Sequence, residues 1–387
     1  MIKILHIISP GTGNFGGIES YLYEYYKHID HDKVRFDFAF CAKNTMKLKQ
    51  QEETFLSSKF IEMECLSREH NRLLNWLKLG KKIRTIAKEG QYDYVETHTS
   101  APMIQAISAL ALKREKCIKI AHSHAMTSIG KDWKHKLING ICSRIIVKNN
   151  DFLFSCSYAA GAVFGEKGVQ SDKFRKINNA IEAEKYRYDR TMREKIRREN
   201  NITDDCLVVG HVARLAKEKN QVFLVDVFYH IHKEIYNSVL WIIGAGETRE
   251  KIVKRIQHYG IESAVKMMGE RKDVDQLLQG MDLFIVPSIK EGLCISAIES
   301  QAAGLPTFVS TGIPDECKIT NHLEFLSLAD GAEKWAKLII ESIRKMKRED
   351  LYDDVIKNGY DVTACAKELQ EFYIEQYDKD RKRCINR

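Results

Sequence analysis

Two carboxylates, Glu291 and Glu299, stand eight residues apart in the segment Pro287-Ser-Ile-Lys-Glu-Gly-Leu-Cys-Ile-Ser-Ala-Ile-Glu-Ser-Gln-Ala-Ala-Gly-Leu-Pro306. The frame predicts a strand ending at Pro287 and a helix over about 293–303, capped by Gly304 and stopped by Pro306. At ~1.5 Å of rise per residue the two carboxylates lie about 12 Å apart, the span from a sugar across a diphosphate to a ribose. The helix N-terminus between them offers free N–H groups and positive dipole to the diphosphate. A lone glutamate in such a frame reads more simply as a solvated helix residue; the pair favours the ligand reading.

Upstream, Val208-Val-Gly-His-Val-Ala-Arg214-Leu-Ala-Lys-Glu-Lys219-Asn220 puts two cations, Arg214 and Lys219, in a loop after a strand. Fixed positive charge there suits a departing diphosphate, and a solvated basic loop is the plainer alternative. Near the start, Gly11, Gly13 and Gly16 match Gly-x-Gly-x-x-Gly after a strand. Three readings stay open for that loop: phosphate contact, a tight turn, and a nicotinamide cofactor. The last lacks the acidic residue that should end the following strand, which closes on Phe40-Cys41-Ala42. Gly244-Ala-Gly246 also follows a strand, and a strand-to-helix turn accounts for it without a ligand.

Taken together the motifs resemble the family 4 retaining glycosyltransferases of the GT-B fold, especially those building bacterial capsular or exopolysaccharide. The likeness covers nearly the whole chain: the Gly16-Gly17 loop, Ala121-His-Ser-His124, Arg214 with Lys219, Gly244-Ala-Gly246, Gly269-Glu-Arg-Lys-Asp-Val274, and Glu291 with Glu299 in the family's Glu-x7-Glu spacing. The resemblance implies that Arg214 and Lys219 hold the diphosphate of a nucleotide-sugar, that Glu299 binds the ribose, and that Glu291 faces the donor sugar. It also implies phosphate contacts from the backbone at Gly292 and Leu293, from the Gly16-Gly17 loop and from Gly246. Arg271 falls near the base. His124 aligns with the family's active-site histidine, and His122 competes for that frame. Two positions depart from the common pattern: Ala213 where Gly precedes Arg-Leu, and Cys294 where Pro follows Glu-Gly-Leu.

These residues need a scaffold that presents strand ends. Apolar runs predict strands at 2–8, 34–40, 92–97, 118–121 and 152–155, then at 207–211, 239–243, 265–268, 283–286 and 307–309, with helical periodicity between. Strands alternating with helices predict an α/β protein with two Rossmann-like, doubly wound parallel-sheet domains facing a cleft. The expected division is 1–182 for the acceptor and 183–361 for the nucleotide-sugar, with a helix from about 362 returning to the first domain. At 387 residues and 44% hydrophobic, the chain has mass for two cores and excludes disorder as its main state. Ten cysteines without a Cys-x-x-Cys pair read as reduced thiols.

No metal or cofactor is expected. The Asp-x-Asp pairs at 30/32, 273/275 and 378/380 do not end strands, and His122-x-His124 shows no acidic partner at ligand spacing. A net charge of +8 suits an anionic partner, but the basic residues are too dispersed for nucleic acid. Two stretches, 73–88 with Trp76 and 131–148 with Trp133, read as basic amphipathic helices. They are either core-facing stripes or surfaces for anionic membrane. The expected protein is cytoplasmic, docking at the inner face of the membrane. It carries a hexose-type sugar from a nucleoside-diphosphate donor, UDP favoured, to a glycan or lipid-linked saccharide. An NAD-dependent oxidoreductase and an inactive GT-B scaffold are the alternatives.

Overall fold

The computed structural model describes residues 1–8, 17–41, 58–63, 72–124 and 133–385. The Gly11, Gly13 and Gly16 readings lie outside the described residues, and Gly17 opens the first helix. The chain divides into two compact units, Met1–Ala180 with Val362–Arg387, and Ile181–Asp361.

The first unit is built on seven strands: β1 (Ile2–Ile8), β2 (Val34–Cys41), β3 (Phe60–Met63), β4 (Tyr94–His98), β5 (Ile118–Ser123), β6 (Phe152–Ser155) and β7 (Phe174–Lys176). All pair in parallel, in the order β3-β2-β1-β4-β5-β6-β7. Sequence periodicity finds five of these. The edge strands β3 and β7 hold four and three residues, too few to display an alternation. Four long helices connect them: α1 (Gly17–Lys27), α2 (Arg72–Gly90), α3 (Pro102–Ala111) and α4 (Trp133–Asn149).

Period-2 alternation explains how both sheet faces are buried. Ile2, Ile4 and Ile8 of β1 join Tyr94 and Ile120 on the face covered by α1, while Leu5 and Ile7 join Val95 on the face covered by α2. The helix Val362–Ile385 contributes Val362, Ala366, Leu369 and Tyr373 to the first of these cores.

The second unit carries six parallel strands, β8 (Leu207–Val212), β9 (Ser238–Ile243), β10 (Val265–Gly269), β11 (Leu283–Val286), β12 (Thr307–Ser310) and β13 (Leu323–Leu326). Their order is β10-β9-β8-β11-β12-β13. Its principal helices are α5 (Arg190–Glu199), α6 (Gln221–Glu234), α7 (Arg249–Tyr259), α8 (Val274–Gly280), α9 (Ile295–Ala302) and α10 (Gly331–Ile343). The charged stretch after residue 183 folds into this unit as α5. Arg197 is buried there against the Gly280 carbonyl and Asp282, which explains a helix of such polar sequence. In both sheets the chain winds outward in two directions from a central pair, β1/β4 and β8/β11. Open α/β sheets bind ligands at the carboxyl ends of strands at such a reversal.

Candidate active site

The two strands flanking the reversal in the second sheet each deliver a charged group. After β8, the chain passes Ala213-Arg214-Leu215 and makes a single 3₁₀ turn over Lys217–Lys219, ending at Asn220 in the left-handed conformation before α6. After β11, the loop from Pro287 carries Glu291 and leads to α9. Lys219 Nζ donates to Glu291 Oε1 at 2.6 Å, and Ser288 Oγ donates to the same oxygen at 2.7 Å. Burial opposes the Lys219 charge, but Glu291 outweighs it and the ammonium is held above its ordinary range. The pair is mostly screened from solvent, with side-chain exposures of 22% and 9%.

Arg214 is 40% exposed and paired with Glu218, with Glu247 at 3.9 Å. Gln221 steadies its loop by donating to the Arg214 carbonyl at 2.9 Å. The loop is further shaped by Gly244 and Gly246, both at positive φ (133° and 155°). A Cβ on Gly244 would sit 2.0 Å from the Ala213 carbonyl oxygen, and one on Gly246 would sit 2.2 Å from that of Leu215. Close backbone packing therefore requires these glycines, independently of any ligand. Glycine at Gly246 thus builds the Arg214 loop.

Helix α9 starts at Ile295, two residues later than the sequence predicts, and ends at Ala302 with Ala303 as cap; Gly304 follows at φ 71°. Gly292 and Leu293 are buried ahead of it. Glu299 lies nearly one and a half turns into the helix and accepts a hydrogen bond from Tyr186 Oη at 2.8 Å. It is therefore held in place rather than being a freely solvated helix residue. Arg271, beyond β10, forms a two-pronged pair with Asp273 at 2.8 and 2.6 Å. The Asp273/Asp275 repeat is thus tied to a guanidinium at its first member.

The reversal in the first sheet holds a different chemistry. On the face under α1, the positions where β1, β4 and β5 approach their carboxyl ends are His6, Glu96, His98 and His122, and His124 follows immediately. Register aligns His6 with Glu96 and His98 with His122. His122 Nδ1 donates to Glu96 Oε1 at 2.6 Å, and Tyr373 Oη donates to Glu96 Oε2 at 2.6 Å. His98 Nδ1 lies 2.9 Å from His124 Nε2, and its Nε2 lies 2.8 Å from His6 Nδ1. Burial drives His6 down to about 4 and His122 to about 3, and holds His98 and His124 well below the ordinary imidazole range. All four are neutral at neutral pH. Burial raises the Glu96 carboxyl, partly countered by His6 and the Tyr373 hydroxyl.

This layer corrects the sequence reading that His122-x-His124 has no acidic neighbour: Glu96, remote in sequence, is supplied by the adjacent strand. The signal was present as Glu96-Thr-His98 and His122-Ser-His124, two polar i, i+2 pairs on strands that pair in parallel. Three imidazoles (His98, His122, His124) and the set His6, Glu96, His98 each bring one ligand atom apiece within 4.8 Å. Tetrahedral zinc at ~2.0–2.1 Å from each nitrogen would separate ligand nitrogens by about 3.3 Å. The observed 2.8 and 2.9 Å contacts are hydrogen-bond lengths.

Of the two basic stretches, the apolar stripe of α2 faces inward: Leu79, Ile83 and Ile86 are buried. Helix α4 differs. Trp133, Leu137, Ile138 and Ile141 are 45–69% exposed, beside exposed Lys134, Lys136 and Arg144. Among the described residues no helix is long and apolar enough to cross a membrane.

Two family models match the chain: Glycosyltransferase Family 4 over residues 15–185 and Glycosyl transferases group 1 over residues 192–362. The chain is 26% identical to EpsF of Bacillus subtilis, named as a glycosyltransferase, over 98% of both chains. It is 22% identical to the UDP-Gal:alpha-D-GlcNAc-diphosphoundecaprenol alpha-1,3-galactosyltransferase of Escherichia coli, covering 88% of this chain and 89% of that one. It is 24% identical to the capsular polysaccharide biosynthesis glycosyltransferase CapH of Staphylococcus aureus, covering 97% and 99%. Among solved structures, Anabaena HepE in complex with UDP superposes with a TM-score of 0.77 at 17% identity, over 97% of this chain and all of that one.

Proposed function

The chain belongs to the family 4 glycosyltransferases of the GT-B fold, those of bacterial capsular and exopolysaccharide synthesis, and from that premise we propose that it moves a hexose-type sugar from UDP-sugar to a glycan or lipid-linked saccharide with retained anomeric configuration. The observation that carries this reading is the Lys219–Glu291 pair at the reversal between β8 and β11, flanked by Arg214 and by the start of α9.

In this reading the diphosphate takes the place of a carboxylate as the partner of Lys219. Lys219 and Arg214 neutralise the charge that grows as the sugar C1–oxygen bond breaks, aided by the N–H groups at Gly292, Leu293 and the α9 terminus. Released from its ion pair, Glu291 faces the donor sugar. Glu299, positioned by the Tyr186 hydroxyl, binds the ribose hydroxyls in this reading. Arg271 is assigned to the base and Gly246 to the phosphates. The acceptor hydroxyl attacks from the face the diphosphate leaves, passing its proton to the departing phosphate oxygen. His124 orients or polarises the sugar or the acceptor, ahead of the fully buried His122.

The reaction needs no metal in this account, because protein cations supply the neutralisation. UDP is favoured by the HepE complex and the UDP-Gal-dependent relative. A lipid-linked acceptor is supported by the same relative, whose acceptor carries undecaprenol, and by the exposed Trp133–Ile141 face with its lysines, suited to anionic membrane.

The test is sugar transfer from a panel of UDP- and GDP-sugars to undecaprenyl-linked saccharides, with product configuration read by NMR. Transfer with a retained anomer, lost in Glu291→Ala and Lys219→Ala, supports the reading. An inverted product, or activity unchanged in both variants, rejects it.

A further inference from the structure

We propose that Glu96 and His98 select the tautomer of His124, with Tyr373 of the C-terminal helix holding Glu96 in place; this rests on the reading above that His124 acts on the sugar or acceptor.

A neutral imidazole carries one N–H, so each close nitrogen pair contains one proton and fixes the next ring's state. His98 joins two such pairs, its Nε2 to His6 Nδ1 and its Nδ1 to His124 Nε2. If His98 is protonated on Nε2, it donates to His6, its Nδ1 accepts from His124 Nε2–H, and His124 is left with a lone pair on Nδ1. If His98 is protonated on Nδ1, every donor reverses and His124 carries its proton on Nδ1 instead.

Glu96 decides between these. Its Oε1 lies 3.5 Å from His98 Nε2. In the first arrangement that nitrogen bears a hydrogen beside the carboxylate; in the second it turns a lone pair toward negative charge. In a dry layer the difference is strongly felt. The carboxylate cannot turn away, since its oxygens are held by His122 Nδ1–H and Tyr373 Oη–H. Burial and the neighbouring carboxylate keep the Tyr373 hydroxyl protonated and donating. Asn179, beside His124, can meet either tautomer by presenting its amide oxygen or its NH₂. Tyr21 covers the layer, with its ring centroid 5.0–6.2 Å from those of His98, His122 and His124.

The first arrangement leaves the His6 N–H on Nε2, buried and without a partner, and Glu96 beside His98 Nε2–H outweighs that cost. His124 is left with an unprotonated, buried Nδ1, toward which Asn179 can turn its NH₂. A substrate hydroxyl that displaced this amide would meet an acceptor there, not a donor. Glu96, His98 and Tyr373 are positioning residues.

The experiment uses full-length protein labelled with ¹⁵N-histidine, the His124 signals assigned by their loss in His124→Asn. The expected wild-type spectrum has His124 protonated on Nε2 and bare on Nδ1. In Glu96→Gln the preference is lost or reversed, transfer falls at least about tenfold, as wrong-tautomer histidines cost in other enzymes, and UDP affinity is unchanged. A Glu96→Gln spectrum with His124 still in the wild-type tautomer overturns the proposal. A changed tautomer with transfer unaffected upholds the relay and instead refutes the role of His124 in the reaction. Tyr373→Phe serves if Glu96→Gln does not fold: a partial shift in the same direction is expected, and no shift overturns the proposal.

Discussion

The buried histidine layer makes the first unit sensitive to acid. His6, His98, His122 and His124 have folded pKa values below the ordinary 6.5, from about 4 for His6 to about 3 for His122 and far down for the other two. The unfolded chain therefore binds more protons below pH 6.5, so stability is present at neutral pH and lost as pH falls through the ordinary imidazole range. Between about pH 7 and about pH 5.5 each such histidine favours the unfolded state by about 1.3 kcal/mol, and four together by about 5 kcal/mol. Glu96, its carboxyl raised by burial, works in the opposite direction and offsets part of this. The second unit has His211, lowered to about 4 by burial, and partly buried His232, also lowered by burial. Hydrogen exchange read by mass spectrometry, corrected for the intrinsic pH dependence, separates the two sheets. Protection of β4 and β5 is expected to fall by several kcal/mol on acidification, against about one to two for β8 and β11. Equal losses in the two sheets would refute the assignment of four neutral buried imidazoles.

Three further outcomes follow from the same contacts. Gly246→Ala places a Cβ 2.2 Å from the Leu215 carbonyl oxygen at a φ of 155°, and should cost about 2 kcal/mol or more in urea unfolding while weakening UDP binding through the displaced Arg214 loop. Transfer should survive extended treatment with EDTA, and elemental analysis should find no stoichiometric zinc; activity restored only by an added metal would return the His98, His122, His124 cluster to the role of ligand set. Trp133→Glu with Ile141→Glu should abolish sedimentation with vesicles containing anionic phospholipid while leaving UDP affinity intact; undiminished sedimentation would remove α4 from membrane contact.

Most of the architecture is written in local patterns. Ten apolar runs correspond to strands, because a parallel strand buried on both faces reads as a continuous apolar stretch, whereas β3, β7 and β13 are edge strands of three or four residues and leave no such trace. Arg214, Lys219, Glu291 and Glu299 could be singled out together because they keep fixed spacings within single strand–loop–helix segments. Their partners could not. Tyr186 meets Glu299 from 113 positions away, and Tyr373 meets Glu96 from 277. Pairing at such separations depends on strand order and on the C-terminal helix entering the first unit's core, neither of which a local window contains. The α2 stripe shows the reverse limit: its helical periodicity is the same whether it faces core or lipid, and only burial of Leu79, Ile83 and Ile86 decides.

The central claim is that the Lys219–Glu291 pair marks a nucleoside-diphosphate site, and calorimetric titration of UDP into the protein and into Lys219→Ala tests it most directly. Loss of one charge-assisted phosphate contact of about 1.5–3 kcal/mol predicts a ten- to hundredfold weaker Kd in the variant. Equal affinity for UDP in both proteins, or no binding of any nucleoside diphosphate to the wild type, would contradict it.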